Sequence, residues 1–157
     1  MRLFGLIGHP LTHSYSASYF NQKFAQEGNL DCQYQLFPLT SIRELPALLA
    51  KYPNLEGLNV TIPYKQDVIP YLDTIDLEAQ EIGAVNTIKF ENGKLTGYNT
   101  DHYGFEQSLK PHLKPHHKKA LILGTGGASK AVAFALKKLD IHFEYVSRTQ
   151  SSTVKFT

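Results

Sequence analysis

The chain has 157 residues, with 16 Lys and Arg against 14 Asp and Glu. The formal net charge of +2 is too weak a field to point to nucleic acid or an acidic partner. With 42% hydrophobic and 19% charged residues, the balance is that of a globular protein long enough for one domain and part of a second, and it excludes a low-complexity chain.

The single cysteine, Cys32, rules out an internal disulfide framework and fits a reducing, cytoplasmic setting. Its neighbours Leu30, Asp31, Gln33 and Tyr34 offer no helix start or basic group, so a structural cysteine is expected. The apolar run at residues 3–7 is too short for a signal peptide, and no stretch approaches the roughly 20 apolar residues of a membrane span.

Residues 3–7 are apolar throughout, as expected of a strand covered on both faces, and Gly8-His9-Pro10 breaks it. Ser16 can cap a helix to about residue 26, with Tyr19, Phe20 and Phe24 near helical spacing. Glu27-Gly28-Asn29 stops it. Residues 33–39 alternate and read as a second strand. Ser41 caps a helix over residues 42–51, with Leu45, Leu48 and Leu49 inward and Pro46 in its first turns. Residues 58–62 read as a third, buried strand.

Pro63 has no N–H for a ladder and suits the first position of a helix, expected over residues 64–72. Another short helix, 77–82, ends at Gly83. Strands 85–90 and 95–98 pair antiparallel about Glu91-Asn92-Gly93-Lys94, because Asn-Gly supplies the positive φ angles of a two-residue turn. Thr100 or Asp101 can cap a helix to about residue 109.

The polar stretch 110–118, with Pro111 and Pro115, reads as a domain boundary. Adjacent His116 and His117 lack the spacing and the further ligands of a metal site, so none is expected. Beyond it comes one βαβ unit: strand 120–123, the turn Gly124-Thr125-Gly126-Gly127-Ala128-Ser129, helix 130–139 and strand 143–146. Residues 153–157 alternate as an edge strand does. We expect an α/β fold: an open, mostly parallel substrate domain over residues 1–110, a linker at 111–118, and the start of a Rossmann-like domain at 119–157.

Ligands bind at the strand ends of open α/β sheets. Asn59, Thr61 and Lys65 gather a carboxamide, a hydroxyl and an ammonium at one such end. Ser14 and Ser16, Asn86, and Asp101 stand near other element ends. Taken singly they read as helix caps, a solvated lysine and a buried amide in need of partners. Together they make a site for a small polyol carrying a carboxylate. Gly124 permits a tight turn and Gly126 lets backbone approach a pyrophosphate, while the helix beginning near Gly127, Ala128 and Ser129 offers N–H groups to it. Ser129 stands where Gly or Ala is usual. At the next strand end, Arg148 between Ser147 and Thr149 suits a 2′-phosphate, hence NADP.

These residues jointly resemble the shikimate dehydrogenase family: Ser14-Tyr15-Ser16, Asn59-Val60-Thr61-Ile62-Pro63-Tyr64-Lys65, Gly83-Ala84-Val85-Asn86-Thr87, Asn99-Thr100-Asp101, the glycine turn, and Ser147-Arg148-Thr149. The resemblance implies reversible, NADP-dependent reduction of 3-dehydroshikimate to shikimate, in chorismate and aromatic amino-acid biosynthesis. It implies that Ser14 and Ser16 hold the substrate carboxylate, that Thr61, Asn86 and Asp101 bind its hydroxyls, and that Lys65 and Asp101 are the catalytic pair. Asn59 is counted with the substrate residues by its place in the motif. The chain departs from the family at Ser147, where Asn is usual, and at Gln150-Ser151-Ser152, which supplies no second cation. Family members also run well past residue 157, so the cofactor domain is expected to be incomplete, with homodimerisation through it. Two other readings stay open: a quinate/shikimate dehydrogenase using NAD, and a non-catalytic shikimate-binding module.

Overall fold

The computed structural model describes residues 1–147 and the backbone of Val154 and Lys155. The chain divides into two compact units, Met1–Asp76 with Val85–Tyr98, and Leu77–Ala84 with Asn99–Thr157.

The first unit contains β1 (Arg2–Gly8), α1 (Ser16–Gln26), β2 (Cys32–Pro38), α2 (Leu45–Lys51), β3 (Leu55–Val60), β4 (Thr74–Ile75), β5 (Thr87–Glu91) and β6 (Lys94–Tyr98). One sheet orders them β2-β1-β3-β5-β6-β4. Pairs β1/β2, β1/β3 and β4/β6 are parallel, and β3/β5 and β5/β6 antiparallel. Helical crossovers make the first three strands parallel. The β5–β6 hairpin turns on Asn92 and Gly93, with φ of 53° and 74°, as the Asn-Gly signal requires.

Side chains of β1 alternate between faces. Phe4 and Leu6 pack toward α1 with Leu11, Phe20, Phe24 and Tyr34. Gly5 faces the other way, where a Cβ would collide with the Phe37 ring and lie 2.7 Å from the Gln35 carbonyl oxygen.

Several local expectations are corrected. Ser16 is the first helical residue of α1, not its cap; Tyr15 holds the cap position without a side-chain bond. The Ser16 N–H is instead taken by Ser14 Oγ at 3.3 Å. Ser41 does cap, through a reciprocal box with Glu44, but the turn it opens is 3₁₀ (Ile42–Glu44) before α2 begins. The Thr40 hydroxyl and the backbone N–H groups beside it hold the Glu44 carboxyl below the usual range. β3 ends at Val60, and no α-helix spans residues 64–72. That stretch is a series of turns closing with a 3₁₀ segment, Ile69–Tyr71. Pro70 explains it, because a proline in a helix interior lacks an N–H and clashes with the carbonyl four residues back.

The second unit contains α3 (Leu77–Ile82), α4 (Asp101–Leu109), β7 (Lys119–Leu123), α5 (Gly127–Lys138), β8 (His142–Val146) and β9 (Val154–Lys155). Its sheet, β7-β8-β9, is parallel. Phe105 and Leu109 of α4 join Ile122, Ala133, Leu136 and Ile141 in one core cluster. Ile82 and Ala84 meet Ala131 and Phe134 in another. Ion pairs Glu81–Lys137 (2.6 Å) and Glu78–Lys138 (2.9 Å) rim that contact, and as exposed pairs they add little stability. β7 is buried on one face only: Ile122 is 5% exposed, Leu121 67% and Leu123 79%. Among the described residues no helix is long and apolar enough to cross a membrane, and no group of three His, Cys, Asp or Glu is placed to hold a metal ion.

Candidate functional site

Parallel pairing puts the carboxyl ends of β1, β2 and β3 along one edge of the first unit's sheet. Because β5 runs antiparallel to β3, its start at Thr87, opposite Asn59, lies at that edge too. The loops are stitched there by backbone. Thr61 N–H donates to the Ile7 carbonyl (2.9 Å) and His9 N–H to the Ile62 carbonyl (3.0 Å). The Tyr64 hydroxyl donates to the Leu39 carbonyl (2.7 Å), and burial pushes its phenol up. Gly8 permits this closeness, since a Cβ there would strike Thr61 Cγ2 and approach Leu11.

Of the residues singled out in the sequence, Ser14, Ser16, Asn59, Thr61, Lys65 and Asn86 all belong to this unit. Ser14 and Ser16 are half-buried at the start of α1, and Thr61 and Lys65 are half-buried in the turn after β3. Asn86, only 8% exposed, is clamped by its backbone. Its N–H donates to the Tyr98 carbonyl (2.9 Å) and its carbonyl accepts from Val60 N–H (2.8 Å). Val85 N–H donates to the Lys65 carbonyl at 2.7 Å, tying the lysine's backbone to the residue before Asn86. Two hydroxyl-bearing loops, an ammonium and a carboxamide along one edge suit a small oxygen-rich anion.

Asn59 sits differently. Its Oδ1 accepts from the Tyr34 hydroxyl (2.8 Å) and its Nδ2 donates to Thr87 Oγ1 (3.3 Å). Tyr34 and Thr87 were not singled out for a role in the sequence. The available signal was that an asparagine inside an apolar strand must find partners.

Asp101 belongs to the second unit. It is the first residue of α4, and the helix cap position falls on Thr100, which makes no side-chain cap bond. The buried Asn99 takes that part: its Oδ1 accepts from Asp101 N–H (3.0 Å) and its Nδ2 donates to the Ala84 carbonyl (2.9 Å). The Asp101 carboxylate therefore does not serve as the cap.

In the glycine turn, Gly124 has φ +112°, a conformation suited to glycine, and its N–H donates to the Val146 carbonyl at 2.9 Å. Gly126 holds the cap position of α5, which starts at Gly127, as the reading of the turn expects and three residues before the helix span 130–139. A Cβ at Gly126 would meet nothing within 4 Å, so the turn is open where a phosphate would approach the first amides of α5. At the third fingerprint position the Ser129 side chain is half-buried beside Gly124, where a Cβ would lie at an ordinary contact distance of 3.5 Å from its Oγ. Ala128 is exposed and Ser147 half-buried. Arg148 and Thr149 lie outside the described residues.

Comparison with known proteins is consistent along the chain. The family described as "Shikimate dehydrogenase substrate binding domain" matches residues 6–88. A shikimate dehydrogenase (NADP(+)) of Aquifex aeolicus is 43% identical over 98% of this chain and 58% of its own length. A solved shikimate 5-dehydrogenase of Thermus thermophilus, in complex with NADP(H) and shikimate, superposes with a TM-score of 0.86 at 34% identity, covering all of this chain and 63% of that one. A shikimate 5-dehydrogenase of Listeria monocytogenes, in complex with shikimate and NAD, gives 0.80 at 35%, covering 96% and 53%. The chain thus spans little more than half the length of these relatives. The match to residues 6–88 takes in more than half of the 157 residues, so the chain belongs to the shikimate dehydrogenase substrate-binding-domain family.

Proposed function

We propose that this chain is part of an NADP-dependent oxidoreductase that reversibly reduces 3-dehydroshikimate to shikimate. The observation that carries the reading is the single sheet edge in the first unit holding the Ser14–Ser16 loop, the Thr61–Lys65 turn and Asn86. In this reading residues 1–110 hold substrate, 111–118 link, and 119–157 begin the cofactor domain. Ser14 and Ser16 take the carboxylate, and Thr61 and Asn86 take hydroxyl oxygens. NADP, when bound, supplies or accepts the hydride. The reduced ketone oxygen gains negative charge, which the Lys65 ammonium stabilises while giving it a proton. Asp101 orients the ammonium and a substrate hydroxyl. Gly124, Gly126, Gly127, Ala128 and Ser129 form the turn for the pyrophosphate, and Ser147, Arg148 and Thr149 are assigned to binding the 2′-phosphate.

The setting is cytoplasmic, in keeping with one cysteine, and burial pushes its thiol up, away from reactivity. We also read the exposed Leu121 and Leu123 face of β7 as a self-association surface, which light scattering on this chain tests.

In the full-length protein, shikimate-dependent formation of NADPH tests the activity. Absence of turnover with saturable shikimate binding would instead make it a binding module. Arg148→Ala should weaken NADPH binding about tenfold or more, as loss of a charge-assisted bond does, and hardly affect NADH. Equal weakening of both coenzymes overturns the role of Arg148.

A further inference from the structure

The side chains of Tyr34, Asn59, Thr87 and Asn86 form one directed chain inside the first unit. Its direction is fixed by a group that only accepts. The Asn86 backbone carbonyl lies 3.5 Å from one end of the Asn59 amide, and it already receives Val60 N–H. An oxygen at that end would face an oxygen, so it carries Nδ2. Asn59 Oδ1 therefore meets the Tyr34 hydroxyl, which donates at 2.8 Å. Tyr34 is 4% exposed and burial pushes its phenol up, so it remains a donor through the physiological range. Asn59 Nδ2 donates onward to Thr87 Oγ1 at 3.3 Å, and Thr87 has one proton to pass, which goes to Asn86 Oδ1 at 3.0 Å.

We propose that Tyr34, Asn59 and Thr87 are positioning residues that set the amide of Asn86, holding its Oδ1 inward so that its Nδ2 is the end that reads substrate. The inference rests on the reading of Asn86 as a substrate residue. It assigns Asn59 to orienting Asn86 rather than touching the ligand, because both ends of its amide are already bonded within the protein. The group recognised at Asn86 is then an acceptor: a hydroxyl or carbonyl oxygen offering a lone pair. An isoelectronic carboxylate at position 86 keeps the acceptor that Thr87 addresses and loses the donor.

The full-length protein supplies the test. Thr87→Val should raise KM for shikimate about 2- to 10-fold, the range of one neutral hydrogen bond, by more than kcat falls, with KM for NADP unchanged. Thr87→Ser, which keeps the hydroxyl, should restore the wild-type KM. Asn86→Asp should lose more shikimate affinity than Thr87→Val. Tyr34→Phe should lie on the same side as Thr87→Val, and its fold is checked by circular dichroism. The chain of bonds is read without ligand: the Asn59 side-chain amide protons should exchange slowly with solvent in the wild type and fast in Thr87→Val. An unchanged KM in a folded Thr87→Val, a Thr87→Ser as impaired as Thr87→Val, or an Asn86→Asp that binds as well as wild type would overturn the inference. If wild-type protein shows no saturable shikimate binding, the functional reading fails instead, and the exchange measurement still decides whether Asn59 is held by Thr87.

Discussion

At the strand ends of the first unit, side chains meet each other and the backbone: Tyr34 with Asn59, Tyr64 with Leu39, Thr87 with Asn86. At the corresponding place in the second unit, between β7 and α5, the structure offers backbone and space. Gly124 takes a positive φ, Gly126 has nothing near where a Cβ would be, and the first amides of α5 follow. The glycines differ in the same sense. Gly5 and Gly97 of the first unit are needed because packed side chains fill the space a Cβ would take: the Phe37 ring at Gly5, Leu72 at 2.5 Å and Val85 at 2.9 Å at Gly97. A side-chain site fails when a functional group is removed, and a backbone site fails when a Cβ is added.

The largest effect is expected at Lys65, the charged side chain proposed to carry the proton. Lys65→Ala in the full-length protein should lower kcat by about 10²–10⁴, the scale of one acid–base group, with a much smaller change in KM. Asp101→Asn should fall in the same direction, and the double variant should be far from additive if the two act as a unit. A kcat within experimental error of wild type for Lys65→Ala would leave it a binding or surface residue.

The next contrast sets one glycine against another. Gly5→Ala forces a methyl group into the Phe37 ring and should cost about 1–3 kcal/mol of stability, read as a lowered Tm. Gly126→Ala has open space and an ordinary φ of −75°, so Tm should hold while NADPH binding weakens. A destabilised Gly126→Ala with unaltered coenzyme affinity would erase the distinction between the two regions.

The parts legible in the sequence were those settled by local chemistry. The hairpin turn was read from Asn92-Gly93, the end of α1 from Glu27-Gly28-Asn29, and α3 from the stop at Gly83, whose φ is +67°. The parts that escaped depend on partners far along the chain. β4 is two residues long, and what makes it a strand is its pairing with Thr96 and Gly97 of β6. The helix expected over residues 64–72 fails at Pro70, a local signal outweighed there by the helix-start reading of Pro63. The site residues split the same way. Asn59, Asn86 and Asp101 stood out as polar groups at element ends. Tyr34 did not, because only the parallel pairing of β2, β1 and β3 and the alternation of faces bring its hydroxyl to Asn59. Asn99 was visible as a motif residue, but its part as the anchor of α4 needed the fold.

The smallest effect separates the units by pH. Burial raises the phenols of Tyr34 and Tyr64 in the first unit, and of the half-buried Tyr145 in the second. An unfolded tyrosine ionises near its ordinary value of about 10. A group whose folded value is raised contributes stability that is fully present below the unfolded value and lost as pH rises through the folded one. The window is therefore alkaline, opening above about pH 10, and neutral pH is untouched. The first unit carries two such groups, each donating to a fixed oxygen, Asn59 Oδ1 and the Leu39 carbonyl, so it should lose stability more steeply in that window. The chain has nine tyrosines and no tryptophan, so phenolate absorbance together with circular dichroism is the usable probe. Urea midpoints taken at about pH 8 and above about pH 10 should fall, and Tyr34→Phe should flatten that fall while Tyr145→Phe changes it less. If Tyr145→Phe flattens the alkaline limb as much as Tyr34→Phe, the tight hydrogen-bonded edge of the first unit is not what the base dissolves.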